Sequence, residues 1–336
     1  MSRKGKIIFK RKDDNWEVGY IKEYERHQFG GFCEQWLQMQ KSKIKESTYV
    51  KYNTIVERHI KPKLGNCFLT DVTPQVVETF KLDLLKNGLA PKTVKDILMV
   101  LHSILNYTAK MLPGIFPMVE IQYPKETRKE MRVLTLEEQQ RFVSYLQEDM
   151  DECKLGVLLA LLTGLRIGEL CALQWGNISV RNRTIYVCAT MQRIKNLTGD
   201  EGGKTKVLMG SPKSDTSIRT IPISDNAAEL CKKMRSKNPA NFLLTGTQKY
   251  MEPRTLQYRL DKYTRECGLD GVHFHTLRHT FATRCVELGF DVKSLSEILG
   301  HANVNITMNR YVHPSMELKQ RNMNILDGLL TSYNPI

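Results

Sequence analysis

Nothing in this sequence is apolar for long enough to cross a bilayer. The longest run, Leu155 to Leu162, is far short of the roughly 20 residues a spanning helix needs and is interrupted by Gly156. No secretory leader is expected either, because Met1-Ser-Arg-Lys runs into a charged stretch with no apolar core. The 8 cysteines (Cys33, Cys67, Cys153, Cys171, Cys188, Cys231, Cys267 and Cys285) form no C-x-x-C pair and sit mostly inside apolar patterns. That excludes a disulfide scaffold and reads as reduced thiols of a cytoplasmic protein. Acidic residues are scarce relative to basic ones, 36 Asp+Glu against 50 Lys+Arg, for a net charge of +14. An excess of this size implies a polyanionic partner, nucleic acid ahead of an anionic membrane. What is present is ordinary globular material, and 336 residues are enough for two or three units, each burying its own core.

Reactive side chains concentrate in one stretch, HFHTLRHTFATRCVELGFDVKSLSEILGHANVNITMNRYVH, from His273 to His313. Leu277, Phe281, Val286 and Leu288 recur at roughly helical spacing, which predicts a helix from Thr276 until Gly289 stops it. His275 and Arg278, three residues apart at its N-terminal end, can project into one pocket. A shorter helix from Lys293 to Leu299, closed by Gly300, leaves His301 just past a helix end. Tyr311 follows after a short amphipathic segment whose apolar side is expected to be Val304, Ile306 and Met308.

A guanidinium, two imidazoles and a phenol suit the handling of a phosphodiester. Arginine offers a bidentate fork to phosphate oxygens, and histidine moves protons near neutral pH. Tyrosine serves as a covalent nucleophile where something lowers its reference pKa of about 10, and clustered cations are expected to do so. Plainer readings compete: a packed or surface tyrosine and histidine, or a surface helix that meets the DNA backbone without chemistry. The five histidines also invite zinc, but none has a carboxylate or Cys partner at the usual ligand spacing, so no metal site is expected.

The rest of the chain reads in order. Residues 1–26 alternate apolar and polar positions around Asp13-Asp14-Asn15, which predicts a small basic hairpin or, equally, a flexible basic arm. Residues 27–112 read as four helices. The first carries Phe29, Phe32, Cys33, Trp36 and Leu37, and the second carries Tyr49, Tyr52, Val56 and Ile60 and ends before Pro62. The third is capped by Thr73 with Pro74 at its first position and Gly88 at its end, and the fourth runs from Pro91 through Leu105. Their outer faces hold Lys41, Lys43, Lys45, Lys51, Lys61, Lys63, Lys92 and Lys95, which by themselves describe only a solvated surface. Residues 113–132, rich in proline and charge, read as a linker. From 133 to 336, a capping box at Thr135-Leu-Glu-Glu138 opens a helix to about Leu146, and a buried helix from Leu155 to Leu162 leads to TGLRIGEL. There Gly164 lets the chain turn and Arg166 begins a helix; a salt bridge from Arg166 to Glu169 is the simplest account of the pair. Between Ile178 and Ile223, TIYVCATM and IRTIPIS read as strands, separated by turn residues and lysines. Helices at Asp225 to Lys237 and Pro253 to Cys267 complete the scaffold. Met316, Leu318, Ile325, Leu326, Leu329 and Leu330 give a final helix one apolar side.

HTLRHTFAT, then LGHANVNIT, then RYVH, with TGLRIGEL upstream, resembles the signature of the tyrosine recombinase, or phage-type integrase, family. W-L, S-T-Y-x-x-Y, I-K-P-x-L-G and A-P-K-T-V resemble its core-binding domain, and the basic hairpin resembles a truncated form of the arm-binding strands some members carry. The resemblance implies a mainly α fold with a small antiparallel β-sheet: a helical, SAM-like core-binding domain followed by a catalytic domain of the DNA breaking-rejoining fold. It implies that Arg166 and Arg278 clamp a phosphate, with Glu169 supporting Arg166, and that Lys213, in a β-hairpin, is the catalytic lysine. Lys204 and Lys206 compete for that role, because loop lysines cannot be ranked by spacing. His275 is then expected to handle the proton of the nucleophile Tyr311, and His301 to hydrogen-bond the phosphate. Lys41, Lys43, Lys45, Lys51, Lys92 and Lys95 become a DNA-facing set that neutralises phosphates without reading bases.

The function so implied is a site-specific recombinase, of the kind carried by bacterial mobile elements, working through a 3′-phosphotyrosyl intermediate with neither metal nor ATP. Its expected partners are double-stranded DNA, three further copies of itself on two recombination sites, and an excisionase or host DNA-bending protein. The final helix is expected to dock on a neighbouring protomer in preference to its own domain. Two other readings use the same fold: an inactive DNA-binding accessory or regulatory protein, and a type IB topoisomerase, which needs only one duplex.

Overall fold

Thr73 accepts a hydrogen bond from the backbone N–H of Val76 while Pro74 fills the first helical position, and a helix duly begins there. Local rules of this kind set most of the boundaries in the computed structural model, which describes residues 28–113, 119–126, 131–197, 203–212, 215–312, 320 and 323–324. The expected N-terminal hairpin and Lys213 lie outside the described residues, as does nearly all of the final helix. By its internal contacts the chain divides into two compact units, residues 1–129 and 130–336.

In the first unit, α1 (Phe29–Lys41), α2 (Glu46–Ile55), α3 (Lys61–Leu64), α4 (Pro74–Lys86) and α5 (Pro91–Met111) surround one apolar core. Trp36, Ile60, Ile97, Leu101 and Ile104 lie at its centre. The second predicted helix does not end before Pro62. A π-helical turn, Val56–Ile60, carries the chain from α2 straight into α3, with Pro62 in the first turn of α3. A proline ring has no N–H to give and collides with the carbonyl four residues back; just before it the turn is widened, with the Lys61 N–H bonded to Val56 O five residues back. The expected linker is also not free along its length. Val119 and Ile121 are buried in the first core, Tyr123 Oη lies 2.8 Å from His102 Nδ1, and Lys95 pairs with Glu126 at 2.8 Å.

The second unit begins with the capping box at Thr135 and Glu138, which opens α6 (Leu136–Gln147). Next come α7 (Glu152–Thr163), buried on nearly every side, and the short α8 (Ile167–Cys171). Five strands follow: β1 (Ile178–Ser179), β2 (Thr184–Val187), β3 (Thr190–Lys195), β4 (Thr205–Gly210) and β5 (Arg219–Pro222). They make two antiparallel sheets, one in the order β1-β2-β5 and one pairing β3 with β4. TIYVCATM is therefore not one strand but two, feeding different sheets, and the lysine-bearing span read as turn contains β4, with Lys206 opposite Ile194. Last come α9 (Asp225–Met234), α10 (Pro253–Glu266), α11 (Phe274–Glu287), α12 (Val292–Leu299) and α13 (Val304–Tyr311). Trp175, Phe142 and the leucines of α7 anchor the main core. α11 packs on α7, α8 on β3, and α12 on β5. These three contacts bring the sequence-distant motifs together.

Two faces differ from expectation. Leu288, the residue that ends α11 just before the left-handed Gly289 (φ +81°), is 77% exposed. In α13 Thr307 and Tyr311, four residues apart, face inward, whereas Ile306 and Met308 remain 40% and 47% exposed. Val304, Ile306 and Met308 are spaced by two, which suits a strand, and one face of a helix cannot hold all three.

Candidate active site

The pocket is built around the end of α12. A helix leaves its last carbonyls without partners and carries partial negative charge there, and Gly300 closes α12 in the left-handed conformation, φ +64°. Three successive carbonyls at this end each receive a different guanidinium. Arg219 Nε donates to Ile298 O at 2.6 Å, Arg278 Nη2 to Leu299 O at 2.7 Å, and Arg166 Nη2 to Gly300 O at 3.1 Å. Arg278 also donates through Nη1 to the carbonyl of Gly164 at 2.7 Å, the left-handed cap that ends α7. Two glycine turns more than a hundred residues apart thus supply acceptors for the two arginines that the motifs singled out.

Glu169 holds the cluster from the other side. Its Oε1 accepts from Arg166 Nη1 at 2.7 Å and Arg219 Nη1 at 3.1 Å. Its Oε2 accepts from the Arg166 backbone N–H and from Arg219 Nη2, both at 3.0 Å. Burial alone raises the pKa of this carboxyl, but hydrogen bonding to Arg219 and the charges of Arg219 and Arg166 outweigh it and leave the group below its ordinary value. Arg278 is 4% exposed; burial, then Arg166, press its pKa down to about 9, which leaves it a cation at neutral pH. Arg219 carried no signal in the sequence, where it is one residue of the strand-like run IRTIPIS. Only its ion pair with a buried carboxylate 50 positions away reveals it.

The phenol and the imidazoles complete the pocket. Tyr311 is 7% exposed, packed among Ala282, Cys285, Leu295 and Leu299. The imidazole against its hydroxyl is not His275 but His279, whose Nδ1 lies 2.8 Å from Oη. The His301 ring stacks parallel to Tyr311 at 6.4 Å between centroids. His301 Nε2 lies 2.9 Å from Arg278 Nη2, and Nδ1 lies 2.8 Å from Thr307 Oγ1. A guanidinium can only donate, so His301 Nε2 accepts and its proton sits on Nδ1, directed at Thr307. In this arrangement His301 orients Arg278 and has no donor left over for a phosphate. Burial, then Arg278 and Arg166, push the His301 pKa down to about 3. His275 sits more openly on the first turn of α11, lowered by partial burial and then by the same two arginines. The expectation that clustered cations lower the Tyr311 pKa is overturned: burial is the larger influence and raises it despite Arg278, Arg310 and Arg166.

Lys204 and Lys206 both belong to the β4 arm, Lys204 exposed just before the strand and Lys206 half-buried within it. In the first unit, Lys51 and Lys92 share Asp96 at 2.9 and 3.1 Å, and Lys95 pairs with Glu126, so these three add less free positive charge than their number implies. Lys41, Lys43 and Lys45 lie exposed at and just beyond the end of α1. Among the described residues no three His, Cys, Asp or Glu side chains converge as a metal site, and no helix is long and apolar enough to cross a membrane.

A buried phenol beside two guanidiniums and three imidazoles, on a mainly helical scaffold with small antiparallel sheets, defines a class: tyrosine-type DNA strand-transfer enzymes. Comparison with known proteins agrees. The phage integrase family domain matches residues 132–317, and the phage integrase N-terminal SAM-like domain matches residues 28–85. A XerC-like tyrosine recombinase of Caldanaerobacter subterraneus is 26% identical over 85% of this chain and 78% of its own length. The ICEBs1 integrase of Bacillus subtilis is 24% identical over 85% and 79%. In fold, the chain is similar to the integrase of transposon Tn1549 solved with a circular intermediate DNA, with a TM-score of 0.73, 21% identity, and coverage of 89% of this chain and 99% of that one. This chain belongs to the phage integrase family.

Proposed function

We propose that this chain is a site-specific recombinase that cuts and rejoins DNA through a 3′-phosphotyrosyl intermediate, integrating or excising the mobile element that encodes it. Tyr311 attacks the scissile phosphorus, and the 5′ oxygen leaves. Arg166 and Arg278 carry the charge that builds on the non-bridging oxygens, an effect that preorganised donors deliver without rearrangement. Glu169 keeps Arg166 aimed, and His301 holds Arg278 until the phosphate arrives and then hydrogen-bonds it once protonated. His275 stands at the pocket mouth, and Lys213 protonates the leaving oxygen, with Lys204 and Lys206 as its rivals. Bond energy is stored in the phosphotyrosyl ester, so resealing draws on no ATP.

Lys41, Lys43, Lys45, Lys51, Lys92 and Lys95 would neutralise phosphates on either side of the site. Four copies would assemble on two sites, with an excisionase or DNA-bending protein setting direction, in the cytoplasm. The observation that supports this reading best is the convergence of Tyr311, Arg166, Arg278 and His301 from four separate motifs into one pocket.

The test uses a nicked duplex carrying the joined ends of the element, which traps the covalent intermediate. Tyr311→Phe is expected to bind this duplex as the parent chain does and to form no adduct. An adduct from that variant removes Tyr311 from the mechanism, and binding without any adduct from the parent chain leaves an inactive accessory protein. Strand exchange between two sites, as opposed to relaxation of one duplex, separates recombinase from topoisomerase.

A further inference from the structure

We propose that His279 is a catalytic residue of this reaction, accepting the hydroxyl proton of Tyr311 as the phenol attacks the scissile phosphate. This rests on the recombinase reading above and moves a role expected of His275 to a side chain to which the motifs assign none. The geometry is direct: His279 Nδ1 lies 2.8 Å from Tyr311 Oη, and the two rings lie 5.6 Å apart. α11 supplies the imidazole and α13 the phenol, so the contact is fixed by the packing of two helices and not by a loop.

The nucleophile needs such an acceptor. Burial keeps the Tyr311 hydroxyl protonated at neutral pH, against the pull of Arg278, Arg310 and Arg166. Its neighbour is in the form that can help. Burial, then Arg310, His275 and Arg278, push the His279 pKa down to about 4, so the ring is neutral. In the tautomer carrying its proton on Nε2, Nδ1 offers a lone pair to the phenol. A phosphodiester entering beside Arg166 and Arg278 brings the negative charge that offsets those cations, and it raises the basicity of the imidazole at the moment the proton moves. The step balances. The O–H bond of Tyr311 breaks with its proton passing to His279 Nδ1, and the freed electron pair forms the O–P bond. The bond from phosphorus to the 5′ oxygen then breaks, and that oxygen takes a proton from the general acid on the far side, Lys213 in the reading above. Religation runs the sequence backwards, the imidazolium returning its proton to the phenol.

The experiment measures the initial rate of adduct formation on the same nicked duplex for the parent chain, His279→Ala and His279→Asn, with duplex binding followed by gel shift. Asparagine can keep a hydrogen bond to the Tyr311 hydroxyl but cannot take its proton. Both variants are expected to bind the duplex and to form adduct at least about 100-fold more slowly, the usual contribution of a positioned proton acceptor. Replacing the 5′ bridging oxygen by sulfur, a better leaving atom, is expected to leave both variants slow, because their defect lies on the attacking side. Adduct formation by His279→Ala within about threefold of the parent overturns the proposal. Parent-like rates in His279→Asn reduce the residue to holding the tyrosine in place and overturn proton transfer. Rescue by sulfur moves the residue to the leaving-group side and overturns it as well. Should His279→Ala lose duplex binding, His279→Asn decides. Failure of the recombinase reading looks different: the parent forms no adduct, or Tyr311→Phe forms one.

Discussion

Glu169, with a side chain 2% exposed, balances two guanidiniums, and three neutral imidazoles surround the same pocket. Both facts tie stability to pH in the same direction. A carboxyl held below its ordinary pKa contributes stability that is complete above the unfolded value, about 4.3, and is lost as pH falls through the folded one. His275, His279 and His301 titrate below the unfolded value of about 6.5, so between that pH and their folded values the unfolded chain binds more protons than the native one. Acid therefore weakens the second unit in two stages, first below about pH 6.5 through the imidazoles and then below about pH 4 through Glu169. Urea midpoints measured from pH 8 to pH 3 should fall accordingly. Glu169→Gln, which leaves Arg219 buried beside a neutral partner, should lose about 3–5 kcal/mol at pH 7. Its deficit should shrink as the parent carboxyl protonates; a deficit constant down to pH 3 would mean that the ionised carboxylate is not what holds the cluster.

At the scale of elements, the end of α12 does the organising. Its carbonyls at Ile298, Leu299 and Gly300 collect Arg219, Arg278 and Arg166, and this depends on Gly300 adopting φ +64°. A Cβ at that position would strain the left-handed turn and lie 3.0 Å from Cδ and Nη1 of Arg219. Gly300→Ala is thus expected to cost about 1–2 kcal/mol from backbone strain, a drop of a few degrees in melting temperature. Adduct formation should fall by more than the lost stability explains, because two proposed phosphate clamps shift together. Unchanged adduct kinetics in a destabilised variant would separate the helix end from the chemistry.

For the whole molecule the governing quantity is charge. The net +14 is spread over a chain whose first unit already spends part of its lysine surplus on internal ion pairs. Asp96 is the clearest case: burial alone would raise its pKa, yet hydrogen bonds from Lys51 and Lys92 bring it below its ordinary value. If this face meets the duplex, Asp96→Asn releases two cations to phosphate. Binding should tighten several-fold at about 50 mM salt and the gain should fade by about 200 mM, with a steeper dependence of affinity on salt. No change at low salt would direct the search for the DNA-facing surface elsewhere on the first unit.

Much of this was legible from residue order alone, because caps, prolines and helical periodicity act within a few positions. Thr73-Pro74, the Thr135 box and the glycine stops at Gly164 and Gly300 fall where local rules put them, and the motifs identify Arg166, Arg278, His301 and Tyr311 as a set. Local rules failed where a distant partner outweighed them. The strand β4 inside an apparent loop answers to its pairing with β3, whereas the π turn before Pro62 and the inward face of α13 come from local geometry that apolar spacing does not show. Tertiary structure alone chose Arg219 as the second partner of Glu169 and His279 as the neighbour of the Tyr311 hydroxyl. Residue order proposes which side chains are chemically able. Which of them come within hydrogen-bonding reach depends on how elements 32 to 134 positions apart pack together, and no short-range pattern encodes that distance.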